Sequence, residues 1–129
     1  MPRARLPDPR RALGDFGERL AAAHLEAKGY RILARKFDAR EGELDLVAED
    51  GDEVVFVEVR TRRGGASGQA ERSVDARKAA KVLRAARRYV DAHPELAERP
   101  LRVDVVAVEL ARDGTLRRLA HYEDAIRPR

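Results

Sequence analysis

Residues 42–62 read GELDLVAEDGDEVVFVEVRTR. Two runs rich in apolar residues, Glu43–Glu49 and Val54–Arg60, flank Asp50-Gly51-Asp52. That pattern predicts two antiparallel strands joined by a tight hairpin. Side chains alternate along a strand, so Val55, Val57 and Val59 share one face of the second run. Val54, Phe56, Glu58 and Arg60 share the other. Both faces are partly apolar, which predicts a central strand buried on two sides. A carboxylate at Glu58 is costly in such a place unless it is paired or coordinated. On the first run Leu44, Leu46 and Ala48 oppose Glu43, Asp45 and Val47.

The hairpin length decides how these acids meet. A two-residue turn at Asp50-Gly51 sets Glu43 opposite Glu58. A four-residue loop, 50–53, sets Asp45 opposite Glu58. Either even-length connection leaves Glu43, Asp45, Glu58 and Arg60 on one face, whereas a bulged, odd one does not. Facing carboxylates repel and weaken a sheet. A divalent cation between them reverses the sign, because Mg²⁺ takes carboxylate oxygens at about 2.0–2.1 Å. The alternative is pairing with Arg60, Arg62 or arginines of a helix.

Outward from this hairpin the pattern alternates. Phe16, Leu20, Ala23 and Ala27 recur on one face of a helix from about Asp15 to Lys28, and Gly29 is a normal C-terminal stop. Tyr30 to Phe37 reads as a strand before the turn-like stretch 38–42. Arg62 to Arg72 contains Gly64, Gly65 and Gly68 and reads as a loop. Asp75 to His93 is a second helix, ended by Pro94. Leu101–Leu110 is a fourth strand, and Asp113-Gly114 turns into a short fifth at Leu116–Leu119. The order αβββαβ(β) predicts a single α/β domain whose mixed sheet is flanked by helices. Residues 1–13 read as a basic N-terminal tail and 14–129 as the domain.

Composition narrows the chemistry. The 129 residues contain no cysteine, which excludes disulfides, thiolate metal sites and cysteine nucleophiles. No apolar run approaches the ~20 residues of a membrane-spanning helix, so no membrane partner and a cytoplasmic location are expected. The formal net charge is +4, from 27 basic and 23 acidic side chains. It is unevenly spread: residues 14–60 carry seven bases and twelve acids, residues 61–93 nine bases and three acids. An acidic segment for a cation beside a basic one for phosphates suits an enzyme that acts on a polyanion, although ordinary solvated surfaces also partition charge. On the second helix Ala79, Val82, Leu83, Ala86 and Tyr89 form an apolar stripe. Arg77, Lys81, Arg84 and Arg88 form a basic ridge beside it, with Lys78 at its flank and Arg62 and Arg63 in the loop before it. These seven are the candidate nucleic-acid contacts. Six Phe and Tyr and no Trp argue against a base-stacking platform. His24, His93 and His121 lack metal-ligand spacing, and Asp104 inside an apolar strand reads as a buried partner for an arginine.

Gly17-Glu18, GELDLVA (42–48) and FVEVRTR (56–62) together resemble the YraN family of bacterial proteins. That family sits in the Holliday-junction-resolvase-like branch of the PD-(D/E)XK nuclease superfamily. The match continues through Lys78 and RVDVVAV (102–108), spanning about residues 14–110. The resemblance implies a restriction-endonuclease-like fold and a metal-dependent endonuclease acting on branched or structured DNA, with Mg²⁺ or Mn²⁺ as cofactor. It makes Asp45 the first metal ligand, Glu58 the acid of the E-x-K element, the carbonyl of Val59 a third donor and Glu18 the helix acid. Glu18 also stands three residues after Asp15, the spacing of a capping box. Glu43 reads as a rim residue. Arg60 departs from the pattern, which has lysine there; arginine cannot give up its proton, and so would orient water or neutralise charge. A fold that binds nucleic acid without cutting it, or a protein-interaction module, remains the alternative. By analogy with resolvases the resemblance also implies a homodimer.

Overall fold

The computed structural model describes residues 8–40 and 42–128. Helix α1 (Pro9–Ala27) is followed by β1 (Arg31–Ala39), β2 (Gly42–Asp50) and β3 (Glu53–Arg63). A short helix, α2 (Gln69–Arg72), then α3 (Ala76–Ala92), lead through a 3-10 turn at Pro94–Leu96 to β4 (Leu101–Leu110) and β5 (Leu116–Ile126). The five strands form one sheet in the order β1-β2-β3-β4-β5. Only β3 and β4 run parallel, and α2 and α3 make the crossover between them. The chain is thus a single α/β domain with a mixed sheet flanked by helices, consistent with a restriction-endonuclease-like fold.

The two long helices cover opposite faces. Ala21, Ala22 and Leu25 of α1 pack on Leu46, Ala48, Val55, Val57 and Val106. Val82, Ala85, Ala86 and Tyr89 of α3 pack on Val47, Val54, Phe56, Val103 and Val105. β3 is central: Val54 to Val57 are at most 1% exposed, as its two-sided apolar pattern requires.

Several boundaries differ from the sequence reading. α1 starts at Pro9, not near Gly14, because Asp8 caps it through Arg10 N–H and proline suits the first helical position. Residues 9–13 of the expected tail are therefore helical, and residues 1–7 lie outside the described residues. Asp15 is inside the helix, so the capping-box reading of Asp15 and Glu18 does not apply. β3 runs on to Arg63, and the expected loop holds α2. β5 continues to Ile126, beyond the expected end at Leu119, because its polar residues bond to β4 and to α2. The side chain of one of these, His121, is buried against Asp104. Asp104 itself pairs with Arg102, as expected.

The hairpin turns on Gly51-Asp52, with Asp50 paired to Glu53. Its register, Leu46 opposite Val57, is the one expected of a four-residue loop and brings Asp45 to the level of Glu58. The β2–β3 ladder ends at Leu46–Val57, while β3 stays paired with β4 as far as Arg63. Beyond that point β2 leaves β3 and rotates. Leu46 belongs to the core under α1, but Leu44, two residues earlier, belongs to the core under α3.

Candidate metal and phosphate site

The fork between β2 and β3 is where the acids gather. Asp45 fills it: its Oδ2 accepts the backbone N–H of Val59 at 2.7 Å, in place of a strand partner. Glu58 lies beside it, 2% exposed, with the two carboxyls close enough to perturb each other. Burial and the neighbouring Glu58 push the Asp45 carboxyl up to about 8. Oε2 of Glu58 is buried and accepts no hydrogen bond from the described residues.

Two further acids converge, Glu18 from α1 and Glu43 from two residues earlier on β2. Carboxylate oxygens of Glu18, Glu43 and Asp45 lie within 4.8 Å of one another. Glu18 comes from α1, which approaches β3 closely because Gly17 has no side chain. A Cβ at that position would stand 1.8 Å from Thr61 Oγ1. Burial raises the Glu18 carboxyl against the opposing hydrogen bond from Lys36, and burial beside Asp45 raises that of Glu43. Glu43, read from the sequence as a rim residue, is thus one of the three converging acids.

Cations surround the acids. Lys78, from the first turn of α3, holds its Nζ 3.3 Å from Glu58 Oε2. Asp75 caps that turn by accepting Lys78 N–H at 2.8 Å, which fixes where the lysine emerges. Arg60 approaches the same oxygen only to 4.0 Å, since its Nε donates to Ser73 Oγ at 2.8 Å. Lys36, from β1, bonds Glu18 at 2.7 Å and also reaches Asp15. The sequence reading assigned Lys78 to phosphate contact alone and did not single out Lys36. Lys78 lies twenty residues from Glu58, and no local spacing signals their meeting.

The donor set fits a divalent cation. Hard oxygen donors converge from Glu18, Glu43 and Asp45, and burial beside Glu58 holds the Asp45 carboxyl above its usual range, a cost that a bound cation would relieve. Adjacent ligands of one octahedral Mg²⁺ stand about 3.0 Å apart, so the three acids would draw closer together on holding it. Asp45, Glu18 and Glu43 could hold it, with Glu58 beside Asp45.

The basic ridge starts at this site. Val82, Ala85, Ala86 and Tyr89 are buried, which turns Arg77, Arg84 and Arg88 to solvent, with Lys81 half-buried. Lys81 packs beside Gly42, next to Glu43. Arg62 is exposed beyond the fork, whereas Arg63 donates to the Arg112 carbonyl. The loop between β3 and α3 is anchored on Glu109, which is fully buried. It accepts Gly68 N–H at 2.6 Å and Ser67 Oγ at 3.3 Å, with Arg118 at 3.4 Å.

Known proteins are similar to this chain in sequence. The model of the "Uncharacterised protein family UPF0102" matches residues 17–108, which include all four acids and the ridge. A UPF0102 protein of Pelotomaculum thermopropionicum is 44% identical over 120 residues, 93% of this chain and 99% of its own. One from Frankia casuarinae is 48% identical over 106 residues, 82% of this chain and 89% of its own. One from Stutzerimonas stutzeri is 52% identical over 95 residues, 74% and 79% of the two chains. With the family motifs on the fork and its helices, the chain belongs to UPF0102, the nuclease-like YraN group.

Proposed function

We propose that the protein is a metal-dependent endonuclease that hydrolyses phosphodiester bonds in branched or structured DNA. The observation that carries this reading is the pair of half-buried Asp45 and buried Glu58 at the strand fork, with Lys78 against Glu58 and the α3 ridge leading away. A bound Mg²⁺ or Mn²⁺ would lower the pKa of its water and draw charge from a phosphate oxygen. The chain's own residues do the rest. Asp45, Glu18 and Glu43 hold the cation, with Glu58 beside Asp45. Lys78 and Arg60 supply positive charge on the Glu58 side, where negative charge builds on the phosphate oxygens. Arg60 stays protonated throughout, so it serves as a fixed charge and not as a base. Arg77, Lys81, Arg84 and Arg88 bind the backbone without reading sequence.

A second reading is favoured by one observation: Arg60 stands in the lysine position and is turned to Ser73. In that reading the fold binds nucleic acid without cutting it. The test is cleavage of labelled four-way junction, flap, duplex and single-stranded DNA with Mg²⁺ or Mn²⁺, and with EDTA. Wild type is run beside Asp45→Asn, Glu58→Gln and Lys78→Met. Metal-dependent products lost in the first two variants and reduced at least tenfold in the third support the nuclease. Binding without products in either metal supports the second reading. Light scattering on the same samples reads the homodimer expected of an enzyme that cuts two strands symmetrically.

A further inference from the structure

Lys36 occupies an unusual place. It lies within β1 at a φ of +52°, in the left-handed region that a side chain other than glycine, asparagine or aspartate rarely adopts. That backbone turn delivers its ammonium to two carboxylates of α1, Glu18 Oε2 at 2.7 Å and Asp15 Oδ1 at 2.5 Å. The two differ in kind. Glu18 is 13% exposed and belongs to the converging group with Glu43 and Asp45. Asp15 is 38% exposed, one turn earlier on the helix and outside that group. The lysine side chain itself is 49% exposed. A cation with solvent access therefore bridges one carboxylate of the metal-ligand set and one that is not part of it.

We propose that Lys36 is the exchangeable counter-ion of the metal site. Its ammonium neutralises Glu18 while no divalent cation is bound, and withdraws onto Asp15 when one arrives. The proposal rests on the metal-binding reading of the acid cluster. The physical reason is competition: an ammonium bonded to Glu18 occupies an oxygen a divalent ion needs, and repels that ion across a short distance. Without the lysine, Glu18 and Glu43 would face Asp45 in the metal-free protein with no cation bonded to Glu18. Asp15 makes the exchange inexpensive, because the displaced ammonium keeps one carboxylate partner. An ordinary surface ion pair has no such second partner arrangement and is indifferent to metal.

The test is Mn²⁺ binding by isothermal titration calorimetry at fixed ionic strength, on the full chain and without nucleic acid. Wild type is compared with Lys36→Gln, Lys36→Arg, Asp45→Asn, Asp15→Asn and the double variant of Asp15→Asn with Lys36→Gln. The expected result is that Lys36→Gln binds Mn²⁺ roughly three- to tenfold more tightly, the size of one part-exposed charge interaction removed. Lys36→Arg, which keeps the cation, stays within about twofold of wild type. Asp15→Asn weakens binding in the wild-type background, where Lys36 must then rest wholly on Glu18, and has less effect beside Lys36→Gln. Thermal melting gives a second readout: saturating Mn²⁺ raises the Tm of Lys36→Gln more than that of wild type. If wild type binds Mn²⁺ through Asp45 and Lys36→Gln binds equally or less tightly, the counter-ion proposal is overturned and the metal site stands. If neither protein binds Mn²⁺, or Asp45→Asn binds as well as wild type, the metal reading falls and takes the proposal with it.

Discussion

Asp45 does two jobs that pull against each other. It accepts Val59 N–H where the strands part, which favours an oxygen acceptor, yet it sits against Glu58 in a buried fork, which disfavours a charge. The balance raises the folded-state pKa to about 8, well above the ~3.9 of an unfolded aspartate. The folded protein thus binds this proton more tightly than the unfolded chain. Its contribution to stability is full below about pH 4 and is lost as the pH rises through about 8. Asp45→Asn keeps an oxygen for Val59 N–H and removes the titration. In EDTA the variant is therefore expected to melt several degrees above wild type at pH 8.5, corresponding to about 1–3 kcal/mol, with the gap closing toward pH 4. Thermal melts of both proteins across that range check it, and a variant no more stable than wild type at pH 8.5 would refute the assignment. Saturating Mg²⁺ at pH 8.5 should stabilise wild type and leave the variant unchanged.

At the scale of elements, the site depends on how closely α1 lies on β3. Gly17 faces Thr61 with no room for a methyl group, and the next residue is Glu18. Gly17→Ala would gain helix propensity of about 1 kcal/mol but must move the helix off the strand. The net expectation is a loss of about 1–3 kcal/mol in urea unfolding, together with at least tenfold weaker Mn²⁺ binding as Glu18 is drawn away. Gly17→Ala with Thr61→Ala, which clears the contact, should recover much of both. The close approach could be read from the sequence only in part. Gly17-Glu18 stood out as a motif, but which strand the glycine meets is a tertiary fact. The central strand was legible because four valines and a phenylalanine alternate over both its faces. The start of α1 was not read, because the Asp8-Pro9 cap signal is obscured by the surrounding prolines and arginines. β5 was legible only at Leu116–Leu119, because its continuation, an edge strand with His121 bonded to Asp104, shows no apolar alternation. The acids of the fork followed from register. Lys36 and Lys78 did not, since one depends on a left-handed backbone turn and the other on a helix docking across the sheet.

Over the whole molecule, charge is arranged as a short acidic centre with basic surface running from it, and the arginines are not equivalent. Arg77 and Arg84 lie on the solvent face of α3, along the ridge that begins at Lys78. Arg118, by contrast, is committed to Glu71 at 2.6 Å and Glu109 at 3.4 Å, so its charge is already balanced inside the fold. If the ridge carries the phosphate backbone, each contact removed should lower the magnitude of the log–log salt slope for duplex binding by about 0.9. Arg77→Ala with Arg84→Ala is therefore expected to weaken binding across unrelated sequences alike and reduce the slope by about 2. Arg118→Ala should leave the slope unchanged while loosening the loop held by Glu109, seen as faster hydrogen exchange over residues 64–72. Fluorescence anisotropy from 50 to 300 mM salt, in EDTA so that no cleavage intervenes, separates the two. Equal slopes for wild type and the Arg77/Arg84 double variant would mean that the ridge only solvates the helix, and that nucleic acid, if bound, approaches the acids from the Arg62 side.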